Sequence, residues 1–576
     1  MAFKTIIVGN TSYSFAKQNN LALVDKTRFI ERLENAGTMV PVFLRPRRFG
    51  KTLLADMLYC YYDKSLAGEF EKNFNGTWIY SHKTPKASSY CCLRFDFSSV
   101  NSNPAKVEKS VAEIVSFGLS DFTDRYPALG LTYEDLDQMR HYSPNEMILN
   151  FIKKFKSHAK KGEKIFVIID EYDHFANDLL SSDKEAFKEI TSTAQDHEGF
   201  VKRFYATLKQ LYGGSKFSPI ERFFITGVSA VSLDSLVSGF NIATNISANP
   251  NFNAMAGFTH DELSRLVDET IDFSSMAQVT KDELMSAMER YYDGYSFSKN
   301  AQEHVFNSNM CLVFLDNVKT VGMIPQIMPG NAGDDAARLD GLLQLADQKV
   351  NDMICGMIFD REDITNVNEP SDLNLNRNDR FDFSQTVWML YYLGYLTMST
   401  SAGFMQYRCP NEIAYQAFAD YLAGKEGFST TSSKDLKEIL RKGDIESLAK
   451  EVEESISELP DATFSGFNER SVQLCFHYIL KWQARQAAES FPEADTGEHG
   501  RVDLYVSNKT GGLDLLLEFK YISKSKADDA KVAKALATAK AQLEQYKGAP
   551  KFKGNGNLKA YAMVFVGAKA MRIEEV

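Results

Sequence analysis

The chain has 576 residues, 44% of them hydrophobic, enough for about three domains with sizeable cores. Its net charge of −11 argues against nonspecific nucleic-acid binding by the whole surface, and no apolar run approaches the roughly 18 residues of a membrane helix, so no membrane partner is expected. The seven cysteines are scattered without CxxC pairs, and residues 1–10 lack a signal-peptide layout; both fit a reducing cytoplasm and neither fits a structural zinc site.

Residues 40–44 are apolar and strand-like. They lead into Arg45-Pro46-Arg47-Arg48-Phe49-Gly50-Lys51-Thr52, after which residues 53–59 follow a helical pattern. A strand, a tight loop and a helix starting at Gly-Lys-Thr suit a phosphate. Backbone N–H groups from Gly50 onward meet the anion, Lys51 reaches the outer phosphates, and the Thr52 hydroxyl can hold Mg2+. Arg45 stands where the strict pattern has its first glycine, so the loop geometry must differ, and Arg45, Arg47 and Arg48 add cationic donors. Residues 92–97 form another strand. Residues 165–169 are wholly apolar and end in Asp170-Glu171, as a buried parallel strand does. Asp170 is expected in the Mg2+ shell, and Glu171 is expected to polarise the attacking water. A further strand, residues 222–226, ends in Thr226-Gly227, with Thr226 as a γ-phosphate sensor. The expectation over residues 1–255 is an α/β domain, a P-loop ATPase-like doubly wound parallel sheet taking ATP and Mg2+. His174, beside Asp173, reads as a local hydrogen-bonding residue.

Residues 256–440 read as a mainly helical lid and connector. Thr259 with Glu262 three residues on offers a helix start. Residues 291–297 are aromatic and glycine-bearing, a packed turn. Residues 331–335 form a glycine- and acid-rich loop, residues 360–380 a polar connector, and residues 390–411 a helix-to-hairpin passage of winged-helix-like character. A Ser/Thr-rich break at residues 429–434 precedes a last domain at 441–576.

In that domain Gly500-Arg501-Val502-Asp503-Leu504 is followed fifteen residues later by Leu515-Leu516-Leu517-Glu518-Phe519-Lys520. Residues two apart on a strand share a face, so Glu518 and Lys520 point the same way. If the two strands pair, Asp503 joins them. Two carboxylates can ligate Mg2+ or Mn2+, and a neighbouring lysine can orient water or a phosphate. Residues 531–546 follow as a helix, with Gln542 and Tyr546 one turn apart on one face. Residues 496–576 hold 14 Lys and Arg against 9 Asp and Glu, so this segment is +5 and the rest −16. Lys524, Lys526, Lys531, Lys534, Lys540, Lys547, Lys551 and Lys553 make a basic rim that suits a phosphate backbone. His499 lies near enough in sequence to touch substrate.

The Asp503…Glu518-Phe519-Lys520 arrangement resembles the PD-(D/E)xK nuclease superfamily. That resemblance implies a restriction-endonuclease-like α/β fold, a Gln on the following helix (Gln542) and an acid on the preceding one (Glu469). The strings Val24-Asp25-Lys26-Thr27, Arg45 to Thr52, Ile169 to Asp173, Thr226 to Ser229 and Tyr292 to Phe297 resemble the AAA-ATPase-like family, in which a C-terminal PD-(D/E)xK domain is commonly fused. Together they imply a nucleotide-regulated, Mg2+-dependent nuclease acting on nucleic acid, with DNA favoured and a homo-oligomer left open. The alternative is an ATP-dependent switch or scaffold whose nuclease-like domain binds nucleic acid or protein without cutting.

Overall fold

The computed structural model describes residues 3–576 except 104, 130, 183–186, 188–192, 195–196, 213–217, 231–241, 277–278, 326–333, 347–348, 356, 358–362, 369–379, 402–403, 426–433, 458–466, 485–486, 497–499, 510, 551 and 553–554. The chain divides into two compact units, residues 1–350 with 363–414 and residues 351–362 with 415–576.

The first unit is built on a parallel sheet of β1 (Pro41–Leu44), β2 (Cys91–Asp96), β3 (Ile165–Asp170), β4 (Ile220–Gly227) and β5 (Thr244–Asn245), in the order β2-β3-β4-β1-β5. Every residue of β1 and β3 is buried, as a strand covered on both faces requires. β4 is the central strand, between β3 and β1, whereas β2, which separates those two in sequence, lies at the edge. The Lys51–Tyr62 helix packs on β3 and the Val107–Arg125 helix on β2. The latter approaches so closely at Gly118 that a Cβ there would lie 2.5 Å from the Arg94 carbonyl.

Helices His260–Thr270, Lys281–Tyr292 and Ser308–Val321 share a second core around Leu263, Leu284 and Phe314. The first starts with the reciprocal Thr259–Glu262 cap that its sequence announces. The Phe383–Leu393 helix ends at Gly394, whose φ of 86° suits a residue without a side chain, and runs into an antiparallel hairpin of Thr397–Ser401 and Phe404–Arg408.

The second unit holds a mixed sheet in sequence order, β6 (Ala488–Asp495), β7 (Arg501–Asn508), β8 (Asp514–Ile522), β9 (Leu558–Val566) and β10 (Lys569–Glu575). All pairs are antiparallel except β8 with β9, which the Asp529–Lys547 helix connects. Leu515, Leu517 and Phe519 face one core with the Glu469–Gln483 helix, while Leu516 faces the Asp529–Lys547 helix. The apolar run of β8 is therefore buried on both sides.

Candidate functional site

Pairing of β7 with β8 ends at Leu504 opposite Leu517, so the next residues, Asp503 and Glu518, stand where the strands part. The two remain linked. The Phe519 N–H donates to Asp503 Oδ2 at 2.7 Å, and the Asp503 N–H donates to Glu518 Oε2 at 3.4 Å. Lys520 Nζ donates to Glu518 Oε1 at 3.2 Å, to Glu469 Oε1 at 2.8 Å and to the Phe519 carbonyl at 2.9 Å. All three ammonium protons are thereby used. Glu469 is the first residue of its helix, capped by Asn468, and four residues on the Gln473 amide donates to the Asp503 carbonyl.

Glu518 is almost fully buried, at 1% exposure. Burial pushes its pKa up to about 7 against the pull of Lys520. Burial and the Glu518 charge likewise hold Asp503 well above the usual carboxylate range. Burial works against the Lys520 ammonium, but the hydrogen bond to Glu469 and the charges of Glu518 and Asp503 outweigh it and raise its pKa. Three carboxylates thus face one cation, and the two buried ones, Asp503 and Glu518, respond to that crowding by holding their protons to higher pH. Among the described residues no three His, Cys, Asp or Glu side chains form a ready metal cluster. What the site offers a cation is Asp503 and Glu518, with Glu469 drawn to Lys520.

Gln542 reaches this site through Tyr546. Their side chains hydrogen-bond, and the buried Tyr546 has its pKa raised first by burial and then by Glu518 and Asp503, while its Gln542 bond opposes. The Gln542 Oε1 is buried without a protein partner. Several rim lysines are engaged: Lys531 with Asp528 at 2.8 Å, Lys540 with Glu574 at 2.9 Å, and Lys547 on the Val576 carbonyl at 2.6 Å. His499, Lys551 and Lys553 lie outside the described residues.

In the first unit the loop after β1 contains two left-handed residues, Arg48 at φ 68° and Gly50 at φ 88°. No side chain caps the Lys51–Tyr62 helix, so its first N–H groups are offered to the loop. Lys51 is buried, with Nζ 3.3 Å from Glu171 Oε1 and donating to the Pro46 carbonyl at 3.2 Å. Asp170 accepts hydrogen bonds from the Thr226 and Thr52 hydroxyls, so with Lys51 and Glu171 five of the expected residues meet at the ends of β1, β3 and β4. Burial raises the Asp170 pKa, and those hydroxyls oppose it. Burial also works against the Glu171 charge, but Lys51 and Arg47 prevail and hold its pKa below the ordinary value. Beside Thr52 and Asp170 opens a cavity of about 590 Å3 floored by Ala55, Phe95 and Ile168.

Arg45 is a correction. Expected as a cationic donor to phosphate, it is 1% exposed and donates to the carbonyls of Leu44 (2.8 Å), Ser247 (3.0 Å), Phe252 (2.9 Å) and Asn253 (3.3 Å). Its guanidinium lies between the Phe43 and Phe297 rings, 4.4 and 4.1 Å from their centroids. It braces the loop from behind. Arg47 instead donates to His174 Nδ1 at 3.2 Å, and Arg48 is exposed.

Sequence reasoning missed how the loop is held. The Phe49 ring meets Tyr295 and Phe297 edge-on at 4.9 and 5.4 Å, and the Asn309 N–H and Ser308 hydroxyl donate to the Arg48 carbonyl at 3.1 and 3.2 Å. It also missed Asp173. Fully buried, it accepts from the N–H groups of Val228 (3.0 Å) and Ser229 (2.6 Å) and ties the end of β3 to the end of β4. Its only signal was an acid beside the Asp170-Glu171 pair.

Residues 7–237 match the family described as "Predicted AAA-ATPase", and residues 468–575 match the PD-(D/E)XK nuclease superfamily. An uncharacterized protein of the vnfD 5' region of Azotobacter chroococcum mcd 1 is 28% identical over 271 residues, 46% of this chain. That match spans 45% of the relative's length. The chain therefore carries an N-terminal AAA-ATPase-like domain and a C-terminal domain of the PD-(D/E)XK nuclease superfamily.

Proposed function

We propose that this chain is an ATP-binding, nucleotide-regulated and metal-dependent nuclease that hydrolyses nucleic-acid phosphodiester bonds, with DNA the favoured substrate. The observation that carries the reading is the convergence of Asp503, Glu518, Lys520 and Glu469 where β7 and β8 part. Two buried carboxyls side by side suit a divalent cation, which would pair with their ionised forms, with water and phosphate oxygens completing its shell. Such an ion would supply charge neutralisation at the scissile phosphate and acidify water. The chain's own residues do the rest. Asp503 is aimed by the Phe519 N–H. Lys520, once Glu518 or Glu469 turns away from it, has an N–H free to hydrogen-bond a phosphate oxygen and stabilise the charge that develops there. Tyr546 lies within reach of the Glu518 and Asp503 charges and bonds Gln542, whose oxygen, without a protein partner, can accept from a bound water.

In the N-terminal domain Lys51 would bind the outer phosphates of ATP, while Thr52 and Asp170 hold its Mg2+. Glu171 would polarise water and Thr226 report on the γ-phosphate. The partnership of Thr52, Asp170 and Thr226 supports these roles. The test is cleavage of end-labelled DNA with Mg2+ by the full chain and by Glu518→Gln. Metal-dependent cutting that falls at least about a hundredfold in the variant supports the reading; cutting that survives it sinks the assignment.

A further inference from the structure

We propose that Arg47 is the arginine this loop directs at the terminal phosphate of a nucleoside triphosphate, and that His174, backed by Asp178, is its positioning residue. The inference rests on the reading of the N-terminal domain as an ATP site and names the group that distinguishes triphosphate from diphosphate there.

Of the three loop arginines, Arg45 is committed to four carbonyls behind the loop and Arg48 is exposed, with a left-handed backbone. Arg47 is half-buried and close enough to Glu171 to help hold that carboxylate's pKa down. Glu171 follows directly on β3 and is the group that would polarise water, so a cation beside it stands where the last phosphate of the nucleotide would lie. Without nucleotide, Glu171 serves as that phosphate's substitute, paired with Lys51 at 3.3 Å and within reach of the Arg47 charge.

The Arg47 side chain is long and costs entropy to hold in one place. His174 supplies the hold. Arg47 Nη2 donates to His174 Nδ1 at 3.2 Å, so the ring proton sits on Nε2. Nε2 faces Asp178 Oδ2 at 3.5 Å, and Asp178 accepts from the Ser102 hydroxyl at 3.2 Å. The order Ser102, Asp178, His174, Arg47 fixes the tautomer and aims the guanidinium. His174 begins the helix directly after β3, three residues past Glu171, so acid and aim are set by one short stretch of chain. An arginine supplied by the loop itself also removes the need for one from a second copy.

The experiment measures affinities of the full chain for ADP and for a non-hydrolysable triphosphate by calorimetry with Mg2+. Arg47→Ala is expected to weaken the triphosphate about tenfold or more while moving ADP by less than about twofold. His174→Ala should show the same selective loss at about threefold, and His174→Asn, which keeps an acceptor, should recover most of it. Equal losses for both nucleotides, or none, overturn the role of Arg47. Failure of His174→Asn to recover what His174→Ala loses overturns the positioning role. A wild-type chain that binds neither nucleotide overturns the ATP-site reading itself, an outcome distinct from a wild type that binds both without discrimination.

Discussion

Two arginines two positions apart differ in their fate because of where the strand leaves them. Arg45 follows directly on β1 and enters the core, where its two terminal nitrogens donate to four carbonyls. Arg45→Met should therefore destabilise the first unit by about 3 kcal/mol through orphaned carbonyls, whereas Arg47→Ala should leave its denaturation midpoint nearly unchanged. Chemical denaturation of the two variants checks this. At the other site the raised pKa of Glu518 sets a pH dependence. The folded state keeps this proton to higher pH than the unfolded chain, so between the ordinary carboxylate value and about 7 stability falls as pH rises. A bound divalent cation reverses that loss by pairing with the ionised form. The upward shift of melting temperature on adding Mg2+ should thus be small at pH 5 and larger at pH 8, while EDTA should abolish it. A shift independent of pH would count against Asp503 and Glu518 as the ligands.

At the level of elements, β8 was readable because its chemistry and its pattern coincide. An apolar run buried on both faces ends in Glu518 and Lys520, and the alternation places both on one face. The phosphate loop was readable only in part. Gly50, Lys51 and Thr52 declare the helix start, but that the loop leans on Tyr295 and Phe297 depends on residues some 250 positions away, which no local spacing encodes. Gly394 is part of the same brace. Its φ is 86°, and a Cβ there would lie 2.8 Å from the Pro46 ring. Gly394→Val should displace the loop and lower ADP affinity about tenfold with Lys51 intact. Unchanged affinity in a folded variant would show that the brace does not reach the phosphates.

For the whole molecule, the sequence disclosed the two family domains better than the borders between them. The motif strings place a sheet at each end, yet the helices of residues 256–350 and the hairpin near residue 400 join the first unit by aromatic packing and backbone bonds that have no short sequence mark. The basic surplus of residues 496–576 was visible, but its use was not, since Lys531, Lys540 and Lys547 spend their charge on neighbouring acceptors. With these three lysines engaged, the salt dependence of DNA binding is expected to be milder than the full basic surplus would give.

The central claim is that a nucleotide site and a phosphodiester-cutting site share one chain and that the first governs the second. Its most direct measurement is the cleavage rate of labelled single- and double-stranded DNA and RNA with Mg2+ or Mn2+, with and without ATP, by wild type, Lys520→Ala and Lys51→Ala. The account predicts metal-dependent cutting that disappears in Lys520→Ala and loses its response to ATP in Lys51→Ala. No cutting of any substrate by a wild-type chain that binds ATP would contradict it.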